Sequence, residues 1–425
     1  MREPVGWPWN GHLWQRWFIV NEGYQIPFCE LAVPGINTMG AASWVKVGAS
    51  TQPGTTEALE EALRSLESPT APKLVVALVA PHFDLPTIAE GLHQALPGTQ
   101  VIGCTTSGEI APDGAMAHAL VLWALGGDAI SVTTGSGQGD DLGLRKAATE
   151  AAHCLDQLDQ RANTVLMMLS DGLCGDQMDV VRGAYDVAAI DVPLVGGCAG
   201  DYLAMRRTRQ IHGRRVMSQS VVAAAISSDR PLGIGVSHGW TPVSEPMLVT
   251  GSKGNLLSSL EDKPALDVYL DFFNPPEAAR TDQAAFADFA ATHPIGIRRR
   301  DKIEMRHITG FNLQTRELIT VAEVPQGALA FLTEGDFDSV LDAAAQSCQS
   351  ALAALDGGEA VGLFLFDCVS RRAVFTEDRV HEETDLITSS CGQVPMAGFY
   401  TYGEICRTKG AGGFHNQTLV TLAIG

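Results

Sequence analysis

The residues in this chain best suited to chemistry lie in two short loops of identical spacing. "GCTTSGE" runs from Gly103 to Glu109 and "GFYTYGE" from Gly398 to Glu404, each closing on a Gly-Glu pair, Gly108-Glu109 and Gly403-Glu404. A middle stretch carries Gly200-Asp201, is one residue shorter counted from Gly196, and has aspartate in place of glutamate. Glycine loops hold phosphate when they open a helix, because unpaired N–H groups and the positive end of the helix dipole then face the anion. Here a "PDG" turn and a strand-like run follow the first loop, no Lys-Ser/Thr pair is present, and a carboxylate beside the second glycine repels phosphate. A strand that ends in a turn with φ > 0 also calls for glycine. The acid just beyond would project from the strand's carboxyl edge, where open α/β sheets bind ligands. Gly103, Gly108, Glu109, Asp171, Gly200, Asp201, Gly398, Gly403 and Glu404 are therefore the expected ligand-binding positions, suited to an amine or hydroxyl. The competing account has these carboxylates capping turns or pairing with a buried arginine such as Arg206 or Arg407.

Other chemistries have less behind them. "SDGLCG" places Asp171 and Cys174 at a strand end, and "FDCVS" does the same for Asp367 and Cys368, but no histidine base lies in either loop, so inert buried thiols are expected. Neither H-E-x-x-H nor a zinc-like Cys/His cluster occurs, and "VHEE" at 380–383 reads as a solvated helix face. Glu109 and Glu404 facing one another could serve as acid and base on a small metabolite, which is the enzyme alternative.

The elements that position these loops recur three times. "TTEALEEALRSLE", "KLVVALVAP" and "DLPTIAEGLHQAL" precede the first loop, and "HALVLWAL" follows it. The second copy runs through "LGLRKAATEAAHCLDQL", "NTVLMMLSDG" and "QMDVVRGAYDVAA" to "SVVAAAIS"; the third runs from "FDSVLDAAAQSCQSALAAL" to "QTLVTLAI". Short Val/Leu/Ile runs alternating with amphipathic stretches predict an α/β fold of repeated α-β-α-β units, with mainly parallel sheets and the last strand of each unit antiparallel at an edge. Residues 229–335 break the rhythm with strand-and-turn sequence and one short helix, "KPALDVYLDFF", a strand-rich insertion. The expected domains are a poorly ordered extension over 1–42, a first half over 43–235 and a pseudo-related second half over 236–425. Four of the seven tryptophans crowd into the extension without helical or strand period, leaving open an anchor for lipid or a partner, or a segment upstream of a start near Met39.

Composition narrows the class. The 425 residues suffice for two to three domains, and 45% of them are hydrophobic, as in globular proteins. A net charge of -20 argues against nucleic acid and anionic lipid as partners. The nine cysteines are odd in number, scattered and free of C-x-x-C pairs, and no run approaches a membrane span or a secretory leader, so a cytoplasmic location is expected.

"VIGCTTSGEI", "VPLVGGCAGDY" and "VPMAGFYTYGEI", together with "SHGW", "VTGSKGN", "EDKPALDVY" and "FHNQTLV", resemble the FIST family of intracellular signal-transduction proteins from about Ser43 to the end. The resemblance implies a non-enzymatic sensory module that binds a small molecule such as an amino acid. Without an attached kinase, cyclase or methyl-accepting segment, its output would pass to a separate partner, a histidine kinase or a cyclic-di-GMP enzyme. One subgroup senses nitric oxide through haem. If haem is bound here, His238 of "SHGW" is the expected axial ligand, with His307 and His415 as competitors; otherwise no cofactor is expected.

Overall fold

Apolar runs become the middle strands of three sheets. The computed structural model describes residues 43–68, 70–139, 143–299, 302–375, 379–408 and 413–425; the extension over 1–42 lies outside the described residues. Three stretches of chain share one order of elements. The first contains β1 (Ser43–Ser50), α1 (Thr55–Arg64), β2 (Leu74–Val79), α2 (Leu85–Ala95), β3 (Gln100–Thr105), the strand pair β4 (Glu109–Ala111) and β5 (Gly114–Met116), and β6 (Leu120–Gly127). The second contains β7 (Ile130–Gln138), α3 (Arg145–Ala152), β8 (Asn163–Ser170), α4 (Met178–Tyr185), β9 (Leu194–Cys198), the pair β10 (Gln210–His212) and β11 (Arg215–Met217), and β12 (Ser220–Ser228). The third opens with β13 (Leu232–Ser237) and resumes at α5 (Phe337–Ala353), β14 (Gly362–Cys368), α6 (Val380–Cys391) and β15 (Met396–Thr401). It ends with the pair β16 (Glu404–Arg407) and β17 (Phe414–His415), then β18 (Leu419–Ile424). The expected boundary at 235 falls inside β13.

The protein is mixed α/β, and its sheets are mixed rather than mainly parallel. The three six-stranded sheets run β1-β6-β2-β3-β10-β11, β7-β12-β8-β9-β16-β17 and β13-β18-β14-β15-β4-β5. Each has one parallel pair, β2 with β3, β8 with β9 and β14 with β15. The last strand of each stretch does pair antiparallel, but inside the sheet, between the first and second strands, and not at an edge. A strand that returns through a short turn arrives reversed, so it slots antiparallel beside two neighbours that point the other way.

The outer positions are filled by exchange. β4–β5 joins the third sheet through β15, β10–β11 joins the first through β3, and β16–β17 joins the second through β9. The inner faces of all three sheets meet in one core, which includes Val76, Met167 and Val222, with Trp123 edge-on to Phe364 at 5.3 Å. Each outer face is covered by its own helix pair, α1 and α2 burying Ala58, Leu59 and Ile88, and α3 and α4 burying Ala147 and Val180. Burial on both faces is why β2, β14 and β15 are enclosed at every position. The helices sit close: a Cβ at Gly48 or Gly235 would fall 1.9 or 1.8 Å from the carbonyl oxygen of Ala62 or Ser347. α5 starts sharply because Asp336 and Ser339 form a reciprocal capping box.

The insertion after β13 is strand-rich as expected, and its described strands build a nine-stranded sheet. "KPALDVYLDFF" supplies the helix Ala265–Phe273, and the shorter helices Glu277–Thr281 and Gln283–Ala290 follow it. Its apolar centre, with Leu266, Tyr269, Phe286 and Ile295, is separate from the main core.

Candidate functional site

The three strand-end loops meet and bond in a cycle. From the first loop, Ser107 donates its N–H to the Tyr400 carbonyl (3.0 Å), and Tyr400 returns one to Gly108 (2.9 Å). From the second, Gly200 donates to Thr105 (3.0 Å), and Thr105 donates to Arg209 (2.9 Å). From the third, Tyr402 donates to Cys198 (3.1 Å), and Cys198 donates to Gly403 (2.8 Å). Side chains reinforce the cycle. The Tyr202 N–H donates to Ser107 Oγ at 3.1 Å, the Tyr402 hydroxyl donates to Asp201 Oδ1 at 2.5 Å, and Arg372 lies 5.0 Å over the Tyr400 ring.

The two glutamates occupy matching positions. Glu109 and Glu404 are both fully buried, and each opens the strand that crosses to a neighbouring sheet. Each shares a hydrogen bond with the threonine three residues earlier, Thr106 or Thr401. Each also accepts a backbone N–H on Oε2, from Ala119 at 3.0 Å and Thr418 at 3.3 Å. Glu109 accepts a third from the Tyr202 hydroxyl at 3.0 Å. Burial outweighs these donors and pushes Glu109 up to about 7 and Glu404 up to about 8. The glycines before them have φ of +123° and +149°, and a Cβ on Gly403 would lie 2.3 Å from Phe414 Cζ.

The second loop does not use Asp201 in this role. Pairing of Gln210 with Cys104, Glu109 with Phe399 and Glu404 with Gly197 makes Gln210 the positional match. It is fully buried and accepts from Ser220 Oγ at 2.7 Å. Asp201 lies in an inserted turn over 201–208, where its carboxylate accepts the N–H groups of Met205, Arg206 and Arg207 in addition to the Tyr402 hydroxyl. The shorter spacing from Gly196 is thus a turn of different length, not the same loop with a smaller acid. Asp171 accepts N–H groups from Leu173 and Gln219 at 2.9 and 2.7 Å and holds the chain entering β12. Gly103 and Gly398 lie within β3 and β15, with a Cβ at either 2.5 Å or less from the neighbouring strand. Of the two expected arginines, Arg206 donates its backbone N–H to Asp201, and Arg407 lies over the Tyr185 ring. No hydrogen bond joins Glu109 to Glu404 among the described residues.

Arg371, which the sequence did not single out, completes the neighbourhood, and Glu383 of the expected solvated face is buried beside it at 1% exposure. Arg371, fully buried, bonds Asp367 at 2.8 Å and Glu383 at 2.5 Å. Burial, with Glu383 alongside, raises Asp367 well above the usual carboxylate range. Tyr202 and Tyr402 could have been suspected only from their place directly after Gly200-Asp201 and directly before Gly403-Glu404; the shared Thr-x-Gly-Glu of residues 106–109 and 401–404 was the readable signal for the threonines.

His238 accepts the Trp240 N–H on Nδ1 at 3.1 Å, and burial lowers its imidazole to about 4. His415 bonds the Cys406 carbonyl and His307 bonds Gln417. Among the described residues, no group of three or more His, Cys, Asp or Glu could hold a metal ion, and no helix is long and apolar enough to cross a membrane.

A cavity of about 380 Å³ lies at the opposite end of β15 from the loops. Val45, Lys46 and Ser65 line it from the first stretch, and Thr388, Gly392 and Gln393 from the third.

This α/β arrangement, with loops from both halves tied around buried acids, coincides with two known domains. Residues 73–263 match the FIST N domain and residues 265–407 the FIST C domain; the chain belongs to the FIST family, whose domains are associated with sensing in signal transduction. An uncharacterized protein of Mycobacterium bovis is 24% identical over 234 residues, 53% of this chain and 58% of its own length. An uncharacterized protein of Methanocaldococcus jannaschii is 21% identical over 312 residues, 68% of this chain and 58% of its own. The chain thus spans less than two thirds of the relatives it matches.

Proposed function

We propose that this chain is a sensory module that binds a small molecule between its two halves and passes its state to a separate partner protein, a histidine kinase or a cyclic-di-GMP enzyme. The observation that carries this reading is the cyclic loop junction, in which a change at Glu109 or Glu404 is felt by loops from both halves. A ligand amine beside either carboxyl would favour the ionised form and pull on the strand pair that follows it, giving the differential interaction a conformational output requires. The common strand order of the three six-stranded sheets supports reading them as copies of one unit, with the acid retained in two of them. The haem variant of this reading, with nitric oxide as the signal, draws no support from His238.

The test is a panel of amino acids and small amines, followed at once by thermal shift and by product detection. A ligand at 100 times its Kd stabilises by about 2.7 kcal/mol. The expected outcome is stabilisation without conversion, weakened in Glu109→Gln and Glu404→Gln. Turnover that disappears in both variants would instead make the pair an acid–base couple.

A further inference from the structure

Two cysteines that the loop junction does not use lie in the helix pair on the third sheet, in one apolar cluster. Cys348 lies on α5 and is fully buried, with its sulfur 3.4 Å from Thr421 Oγ1. Cys391 is the last residue of α6 and is half-buried. The two helices pack against each other, and the two cysteine side chains lie in one apolar cluster between them and the third sheet. Both are free thiols. Cys391 is followed by Gly392 at φ +72°, which ends the helix and leaves the backbone beyond it no side chain to obstruct adjustment. Thr388 and Gly392, on either side of Cys391, form part of the wall of the cavity between the first and third stretches.

We propose that Cys391 and Cys348 form a dithiol oxidation site for hydroperoxides, with Cys391 as the attacking and Cys348 as the resolving thiol. The roles follow from access: a peroxide can reach the half-buried sulfur, whereas the buried one can meet only its neighbour. In the first step the Cys391 thiolate attacks one peroxide oxygen; an S–O bond forms, the O–O bond breaks, and the departing hydroxide takes a proton to become water. The Cys348 sulfur then attacks the sulfenic sulfur; the S–S bond forms, the S–O bond breaks, and a second water leaves with the Cys348 proton. Two electrons pass from the sulfurs to the peroxide. The product pins the end of α6 to α5, beside Thr388, Gly392 and Gln393, so the cavity would register the oxidation state.

The experiment uses the full reduced chain, hydrogen peroxide at stoichiometric dose, alkylation of remaining thiols, and mass mapping without reduction. The expected result is a chain about 2 Da lighter, with a linked Cys348–Cys391 peptide. Cys348→Ser should leave Cys391 unresolved, trapped by dimedone as sulfenic acid. Cys391→Ser should slow consumption of the Cys348 thiol about tenfold or more. Either variant keeps a small polar side chain, and an unchanged melting curve before oxidation confirms the fold. Sulfinic acid on Cys391 in the unaltered chain without any linked peptide would overturn the proposal, as would loss of the Cys348 thiol at the same rate in Cys391→Ser.

Discussion

At the scale of single residues, Glu109 and Glu404 carry a cost that depends on pH. Their folded pKa values, about 7 and about 8, stand above an ordinary glutamate because burial disfavours the charged form. Stability contributed by the neutral carboxyls is therefore complete below about pH 4.5 and is lost as pH climbs to the folded values, at about 1.4 kcal/mol per pH unit for each group. Glu404→Gln should flatten this slope between pH 5 and 8 and raise stability at pH 8, as read from urea unfolding at the two pH values. An equal loss at both would mean the carboxyl is already ionised at pH 5. The protein itself places an amide at the third equivalent position, Gln210, so the site tolerates that shape. The two glutamates were legible because Gly-x4-Gly-Glu recurs unchanged. Gln210 was not, since residues 201–208 intervene and offer a nearer acid, Asp201, in a turn that satisfies it completely.

At the scale of elements, the alternation of apolar runs with amphipathic stretches located the strands and helices, because a strand buried on both faces leaves a continuous apolar signature. Which strands pair is a different matter. Nothing local in "GEI" or "RQI" says that β4 will leave β3 and join β15, or that β10 will join β3, so the sheets came out mixed where parallel order was expected. Two substitutions separate the backbone of these loops from their side-chain ties. Gly403→Ala puts a Cβ against Phe414 at φ +149°, and should cost about 1–3 kcal/mol in strain alone. Tyr402→Phe removes the bond to Asp201 and the acceptor for the Leu203 N–H at 2.7 Å, while the backbone cycle remains. Hydrogen exchange should therefore rise locally over residues 201–207 in Tyr402→Phe, with a smaller fall in global stability than Gly403→Ala gives. A global collapse in Tyr402→Phe would show that the inserted turn, not the backbone cycle, holds the loops.

At the scale of the whole molecule, strand exchange decides whether the halves can stand alone. Division between β12 and β13 gives residues 43–229 and 230–425. The first piece would keep β8 and β9 but lose β16–β17, leaving β9 an unpaired edge, and the second would keep β15 but lose β4–β5. Both would also expose their share of the common core; Trp123 of β6 would lose Phe364 of β14, and the inner face of every strand in that core would meet water. An unpaired edge beside a bared apolar face is a template for aggregation. Each piece expressed alone should therefore lack a cooperative melt, whereas the two expressed together should purify as a one-to-one complex that melts as a unit. The exchange would then do for signalling what a flexible linker cannot, since a shift of either half must move strands that belong to the other's sheet. A cooperative melt by either piece alone, close to that of the intact chain, would mean that the exchanged pairs are ornaments on self-sufficient domains and that a signal between the halves must travel by another route.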